Sequence, residues 1–146
     1  MSTLCHGSVI GFFIENSTLD EFKEKRVIEA GSKYANGSVR LFIGKFLRPR
    51  GYFGVDVEQG RSVDLIVHAE RLIDELGEES CGILISTELL EPAYGCGNVI
   101  DSLKRTLKKD GLSFLTTKSA GFSVSLLSIR FLVIRNLSSS EDILRF

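Results

Sequence analysis

The chain has 146 residues, a length suited to one domain. Hydrophobic residues make up 43% and charged residues 25%, globular usage that excludes a disordered chain, a collagen-like repeat and a coiled coil. The formal net charge of -1 supplies no overall basic field to draw in nucleic acid or a membrane.

Val9 to Ile14 is an apolar patch with no basic residue before it, too short and wrongly flanked for a secretory signal. Ser17 and Thr18 stand three residues before Asp20 and Glu21. That pattern predicts a helix from Leu19 to about Lys25. Val27 to Ala30, closed by Gly31 and Ser32, reads as a buried strand entering a turn. Asn36-Gly37-Ser38 is a second turn, with Ser38 placed to cap a helix. Val39, Phe42, Ile43, Phe46 and Leu47 then repeat at helical spacing and predict one inward face, ended by Pro49 and Gly51.

Tyr52 to Val57 reads as the second strand and Val63 to Val67 as the third. A helix over Ala69 to Leu76 would turn Leu72, Ile73 and Leu76 inward and stop at Gly77. Ile83 to Ser86 is the fourth strand. Asn98 to Leu107 is a helix with Val99, Ile100, Leu103 and Leu107 inward, and with Lys108 and Lys109 at its negative end. Asp110-Gly111 makes a turn into a fifth strand, Leu112 to Thr116. Val124 to Ile134, interrupted by Ser125, Ser128 and Arg130, is too short to cross a bilayer and holds one or two strands at most. Strands alternating with helices, each strand continuously apolar, predict an α/β fold with a mostly parallel sheet covered on both faces. Its strand C-termini would share one edge, where ligands bind.

Charge is uneven. Residues 1–101 carry a net charge of -6 and residues 102–146 one of +5. Solvated helix faces account for this, and a basic contact surface for an anionic partner is weakly signalled. The three cysteines, Cys5, Cys81 and Cys96, are odd in number and form no CxxC pair. That argues against zinc and against a disulfide scaffold, and suits packing thiols in a reducing cytoplasm. His6 has no supporting context.

The residues with chemical potential fall at strand ends. Gly31 permits close approach of a ligand or another backbone. Asp56 ends the second strand 25 residues later, near the spacing at which an acidic side chain accepts both hydroxyls of a ribose. The pair suits an adenosine ligand, and ordinary turn chemistry explains it about as well. There is no GxGxxG for a dinucleotide pyrophosphate and no GxxxxGK[ST] for a nucleoside triphosphate.

The runs VIEAGSKYANGSVR, GYFGVDVEQGRSVDLIVHAERL, ILISTELLEP and SLKRTLKKDGLSFLTTKSAGF resemble, in order and spacing, class I S-adenosylmethionine-dependent methyltransferases. The likeness is to those with a type 11 methyltransferase domain, and it covers Val27 to Phe122. It implies a Rossmann-like mostly parallel sheet, a single domain over 1–146 with its core at 27–122, S-adenosylmethionine as cofactor, and an unidentified methyl acceptor. Glu29, Gly31 and Ser32 match the motif that lies against the methionine part of the cofactor. Asp56 matches the ribose-binding acid, with Val57 beside the adenine. His68 and Ala69 match the region near the adenine amino group, where family members often have Asp. Ser86 matches a residue lining the sulfonium end. Glu88 and Glu91 are general-base candidates by location only.

Gly82 and Pro92 also depart from the family, standing where Asp and His are usual. Past Phe122 the likeness fades into a divergent tail, 123–146, so the C-terminal strands are expected to be incomplete. A deletion or a change of reading frame would explain that. An inactive methyltransferase-like relic or interaction domain stays open beside the enzyme reading. The expected setting is cytoplasmic, with no membrane partner, no indicated nucleic acid, no metal, and a homodimer among the possible assemblies.

Overall fold

The computed structural model describes residues 10–33, 39–87, 97–118 and 129–135. Residues 10–16 are helical (α1), closed by Asn16 and Ser17, which bond back to the carbonyls of Phe12 and Phe13. The next helix, α2 (Leu19–Phe22), starts as predicted but stops before the expected end near Lys25, because Lys23 leaves the helix to bridge Pro49. The Thr18 hydroxyl accepts from the Glu21 N–H at 3.3 Å, and the Glu21 carboxylate accepts from the Thr18 N–H at 3.1 Å. This reciprocal capping box satisfies two donors that a helix start leaves open. Thr18→Ala should therefore lower stability by about 1 kcal/mol, read as a shift of the urea midpoint at unchanged slope. A midpoint that stays put would show the box to be idle.

β1 (Arg26–Ala30) follows, then α3 (Arg40–Phe42), which widens into a π-turn over Ile43–Leu47. β2 (Gly51–Asp56), β3 (Leu65–Ile66), a 3₁₀ turn (Ala69–Arg71), α4 (Leu72–Leu76), β4 (Cys81–Thr87), α5 (Gly97–Thr106), β5 (Leu107–Lys118) and β6 (Ile129–Arg135) complete the described chain. The strands form one sheet in the order β3-β2-β1-β4-β5-β6. The first five strands run parallel, and β6 pairs antiparallel with β5. The expected Rossmann-like α/β architecture is thus present, and β6 overlaps the stretch Val124 to Ile134 that was expected to hold one or two strands, ending one residue beyond it.

Alternation along β1 divides the core. Val27 packs with Phe13, Phe22, Ile43 and Phe114 beneath α1, α2 and α3. Its neighbour Ile28 packs with Leu72, Leu84 and Leu103 beneath α4 and α5. Both faces are covered, which is why β1 and β4 at the centre of the sheet are mostly apolar, with Glu29 a buried ionisable exception in β1.

Three local expectations need correction. Phe46 is 57% exposed and does not join Val39, Ile43 and Leu47 inside. The π-turn, closed by Arg48 N–H to the Ile43 carbonyl at 3.0 Å, adds a residue to the turn. It swings Leu47 into line with Ile43 and turns Phe46 out, against Phe42. The third strand has two residues, not five, because an Asp64 carboxylate oxygen takes the Gly54 N–H that a strand carbonyl would have accepted. Lys108 to Gly111 lie within β5. Leu107 already pairs with Cys81 and pairing resumes at Ile83 with Leu112, so the four residues form a bulge and Lys108 and Lys109 do not end a helix. The Asn36-Gly37-Ser38 turn and the stretch before β6 lie outside the described residues.

Candidate functional site

The strand order reverses between β1 and β4, so helices leave the carboxyl ends of these neighbours toward opposite faces and open a crevice there. The parallel register brings the residues singled out in the sequence to that edge. Glu29 faces Gly54 of β2 and Ile85 of β4, and Ala30 faces Val55 and Ser86. Gly31 turns the chain with φ +78, a conformation that costs glycine little and other residues more. The Gly31 and Ser32 N–H groups both donate to the Val55 carbonyl, at 2.9 and 3.0 Å.

The turn then meets Asp56. Lys33 N–H donates to Asp56 Oδ2 at 2.9 Å, and Glu58 N–H donates to Oδ1 at 3.1 Å. A carboxylate offers about four lone-pair positions, so these two bonds orient Asp56 and leave each oxygen able to accept another donor. Lys33 and Glu58 form an ion pair alongside. Gly31 and Asp56 are therefore neighbours at one strand edge.

Val57 and His68 come just after the last paired residues of β2 and β3, and both are exposed. The Val67 N–H bonds to the Asp56 carbonyl at 2.9 Å, holding the His68 segment beside Asp56. Ala69 opens the 3₁₀ turn, and Arg71 N–H closes it on the His68 carbonyl at 2.8 Å. Ser32 and Ser86 are buried, and their hydroxyl oxygens have no hydrogen-bond partner among the described residues. A buried hydroxyl without a partner costs about 1–3 kcal/mol. Two of them at one strand edge suit a polar ligand that satisfies them. Glu88, Glu91, Cys5, Cys96 and His6 lie outside the described residues.

Behind the crevice lies a network that the sequence did not reveal. Glu29 is buried on the α3 side of the sheet and accepts the Tyr52 hydroxyl at 2.7 Å. Burial raises its carboxyl to about 7, against the opposing pull of the Tyr52 hydrogen bond and of Arg40. Burial, with Glu29 adjacent, holds the Tyr52 phenol well above its ordinary range. The Arg40 guanidinium lies over the Tyr52 ring, 5.2 Å from its centroid, and bonds to Asp64 at 2.8 Å. Asp64 in turn receives the Gly54 N–H at 2.8 Å. Gly54 has no room for a side chain, since an added Cβ would sit 2.6 Å from the Ser32 hydroxyl. Arg40, Tyr52, Gly54 and Asp64 thus fix the height of β1 against β2 and β3. Of these, only the Asp64 position in RSVD, a carboxylate beside a turn, hints at such a role in sequence.

Cys81 lies at the other end of β4, and burial pushes its thiol up to about 12. It packs in the core with Leu84 and Leu107, in keeping with the sequence reading of the cysteines as packing residues.

No protein-family model and no curated protein matches the sequence. Solved structures do match in fold. An S-adenosylmethionine-dependent methyltransferase from Mesorhizobium loti superposes with TM-score 0.59 at 12% identity, over 86% of this chain and 64% of its own. A SAM-dependent methyltransferase from Archaeoglobus fulgidus gives 0.59 at 13% identity, over 82% of this chain and 54% of its own. A Haemonchus contortus phosphoethanolamine N-methyltransferase, solved with phosphomonomethylethanolamine and S-adenosylhomocysteine, gives 0.57 at 14% identity, over 82% of this chain and 30% of its own. The protein shares their fold. It spans less than two thirds of each of these chains.

Proposed function

We propose that the protein binds S-adenosylmethionine across the carboxyl ends of β1, β2 and β4, and that it is a methyltransferase acting on an acceptor still to be identified. The observation that carries this reading is the junction of the Gly31 turn with the oriented Asp56 carboxylate, 2.9 Å from the Lys33 N–H. Of the five buried serine hydroxyls without partners among the described residues, Ser32 and Ser86 lie at this edge and fit a polar ligand there, and the neighbours in fold bear the same activity in their names.

In this reading Asp56 accepts the ribose hydroxyls, Val57 and Ala69 border the adenine, and His68 stands near its amino group. Gly31 lets the backbone approach the amino-acid end, Glu29 lies beneath it, and Ser32 and Ser86 supply hydroxyls to the crevice. Bound there, the cofactor supplies a methyl group on a positively charged sulfur, and the protein supplies binding and orientation. Methyl transfer requires acceptor, methyl and sulfur in line. Positioning of that kind lowers barriers by as much as about 7–11 kcal/mol in favourable systems.

The test is calorimetric titration with S-adenosylmethionine and S-adenosylhomocysteine. Both should bind, and Asp56→Ala should weaken binding by about 1.5–3 kcal/mol, the range for hydrogen bonds to a charged group. Equal affinity in wild type and variant would remove Asp56 from the site. Absence of binding in the wild type would sink the whole reading. Binding without turnover over a panel of acceptors would favour an interaction domain that keeps the cofactor fold.

A further inference from the structure

The opposite edge of the sheet, where the parallel strands begin, has a charge pattern that methyl transfer does not use. Lys23, Lys25 and Arg26 lead into β1 and are exposed. Lys45, Arg48 and Arg50 lead into β2 and are exposed as well. The two segments are tied together by Arg50 N–H to the Lys25 carbonyl at 2.9 Å and by a bridge between Lys23 and Pro49. Lys108 and Lys109 join them from the β5 bulge, beside the first residue of β4. The stem of Lys25 runs over Gly82, close to that same bulge.

Among the described residues none of these eight cations forms an ion pair, whereas Lys33, Arg40, Arg71 and Arg105 at other places do. Glu24, Glu79 and Asp110 are interspersed with them, Glu78 beside Glu79 is paired with Arg105, and Asp20 and Glu21 follow Leu19 on α2. In a chain of net charge -1, that concentrates positive charge at one end.

Exposed apolar side chains accompany the cations. Phe46, turned outward by the π-turn, is 57% exposed between Lys45 and Arg48, and the Lys45 ammonium sits 5.4 Å from its ring centroid. Leu19 is 50% exposed one helical turn before Lys23. Nucleic acid would use the cations but would gain little from an exposed leucine. An anionic bilayer uses both, since apolar side chains enter the headgroup boundary while lysines and arginines meet lipid phosphates and carboxylates.

We propose that this edge docks on an anionic lipid surface, with Phe46 and Leu19 inserted and the three cationic segments around them. The contact is peripheral, as no helix among the described residues is long and apolar enough to cross a membrane. Docked in this way, the protein holds the crevice at its other edge toward water.

Co-sedimentation of the whole chain with vesicles tests the proposal. Vesicles of phosphatidylcholine with phosphatidylserine should carry the protein down at low ionic strength, and vesicles of phosphatidylcholine alone should not. Added salt should release it as charges are screened. Lys45→Gln and Arg50→Gln should each weaken partitioning about fivefold, the equivalent of about 1 kcal/mol for one charge near the surface. Phe46→Ser should weaken it further and independently of salt. All three positions are exposed, and unchanged melting temperatures would verify that the variants fold.

Equal partitioning to both vesicle types, no partitioning to either, or indifference to the charge variants would overturn the proposal. So would capture of a single-stranded oligonucleotide by a protein that ignores the vesicles. Calorimetry with S-adenosylmethionine reads the other edge, so either proposal can fail while the other stands.

Discussion

Phe114→Ala should lower the stability of the protein by about 3–5 kcal/mol, the range for truncating a buried aromatic side chain. Phe114 lies on β5, fully buried, and its ring meets three others. Phe13 stacks on it with centroids 4.9 Å apart, Phe22 lies at 5.6 Å, and Phe12 meets it edge-on at 6.1 Å. These rings come from α1, α2 and β5, so the alanine variant removes the plug that holds two N-terminal helices to the sheet. Aromatic pairs contribute about 0.5–1.5 kcal/mol beyond their buried area, which places the expected loss in the upper part of the range. For a domain of this size a loss of that order lowers the melting temperature by roughly 10 °C or more. Phe114→Leu keeps much of the volume and should recover more than half of the loss. An alanine variant that melts within a degree or two of the wild type would show that the cluster closes over the cavity.

The aromatic cluster also marks where sequence reading stops. The patch Val9 to Ile14 shows in the sequence as apolar, but nothing local says that Phe12 and Phe13 meet a residue about a hundred positions later. Signals whose evidence is local marked the right starting points, although α2 ends at Phe22 and not near Lys25. The capping box at Thr18 and Glu21 is a four-residue pattern, and the mostly apolar runs Val27 to Ala30 and Ile83 to Ser86 announce a sheet covered on both faces. Elements set by tertiary competition were misread. The period of α3 pointed Phe46 inward until the π-turn shifted the phase. Asp110-Gly111 has the composition of a turn, and only the Leu107–Cys81 pairing shows that β5 has already begun.

The crevice divides in the same way. Gly31 and Asp56 could be joined in advance because parallel strands in register must release their ends at the same edge. The support behind them was not legible. Tyr52 reads as one more strand aromatic, and Arg40 as one more exposed helix cation. Their partners, Glu29 and Asp64, lie on other elements, 23 and 24 residues away. Glu29 was found through its place in a motif, but the motif carries no sign that its carboxyl titrates near neutrality.

That titration yields the second large effect. Glu29 should make the protein lose stability as pH rises from about 4.5 to about 7. Its carboxyl stands at about 7 when folded, against a reference value of 4.5. Below this window both states hold the proton, and above it neither does. Within it the folded state retains the proton and the unfolded chain does not, so each step up in pH favours unfolding. A gap of this width amounts to roughly 3 kcal/mol between the ends of the window. The physical cause is burial, which the single hydroxyl donated by Tyr52 does not offset.

Glu29→Gln removes the proton and keeps the shape, with the amide oxygen still able to accept from Tyr52. Urea unfolding of both proteins across this pH window should show a falling stability in the wild type and a flatter profile in the variant, the other groups being common to both. Tyr52→Phe should push the Glu29 carboxyl higher still, because it deletes a bond that favours the charged form, and so should widen the window on its alkaline side. Parallel profiles for wild type and Glu29→Gln would mean that the Glu29 carboxyl releases its proton at the same pH in the folded and unfolded states. The account of a buried acid held near neutrality under the Gly31 turn would then be wrong.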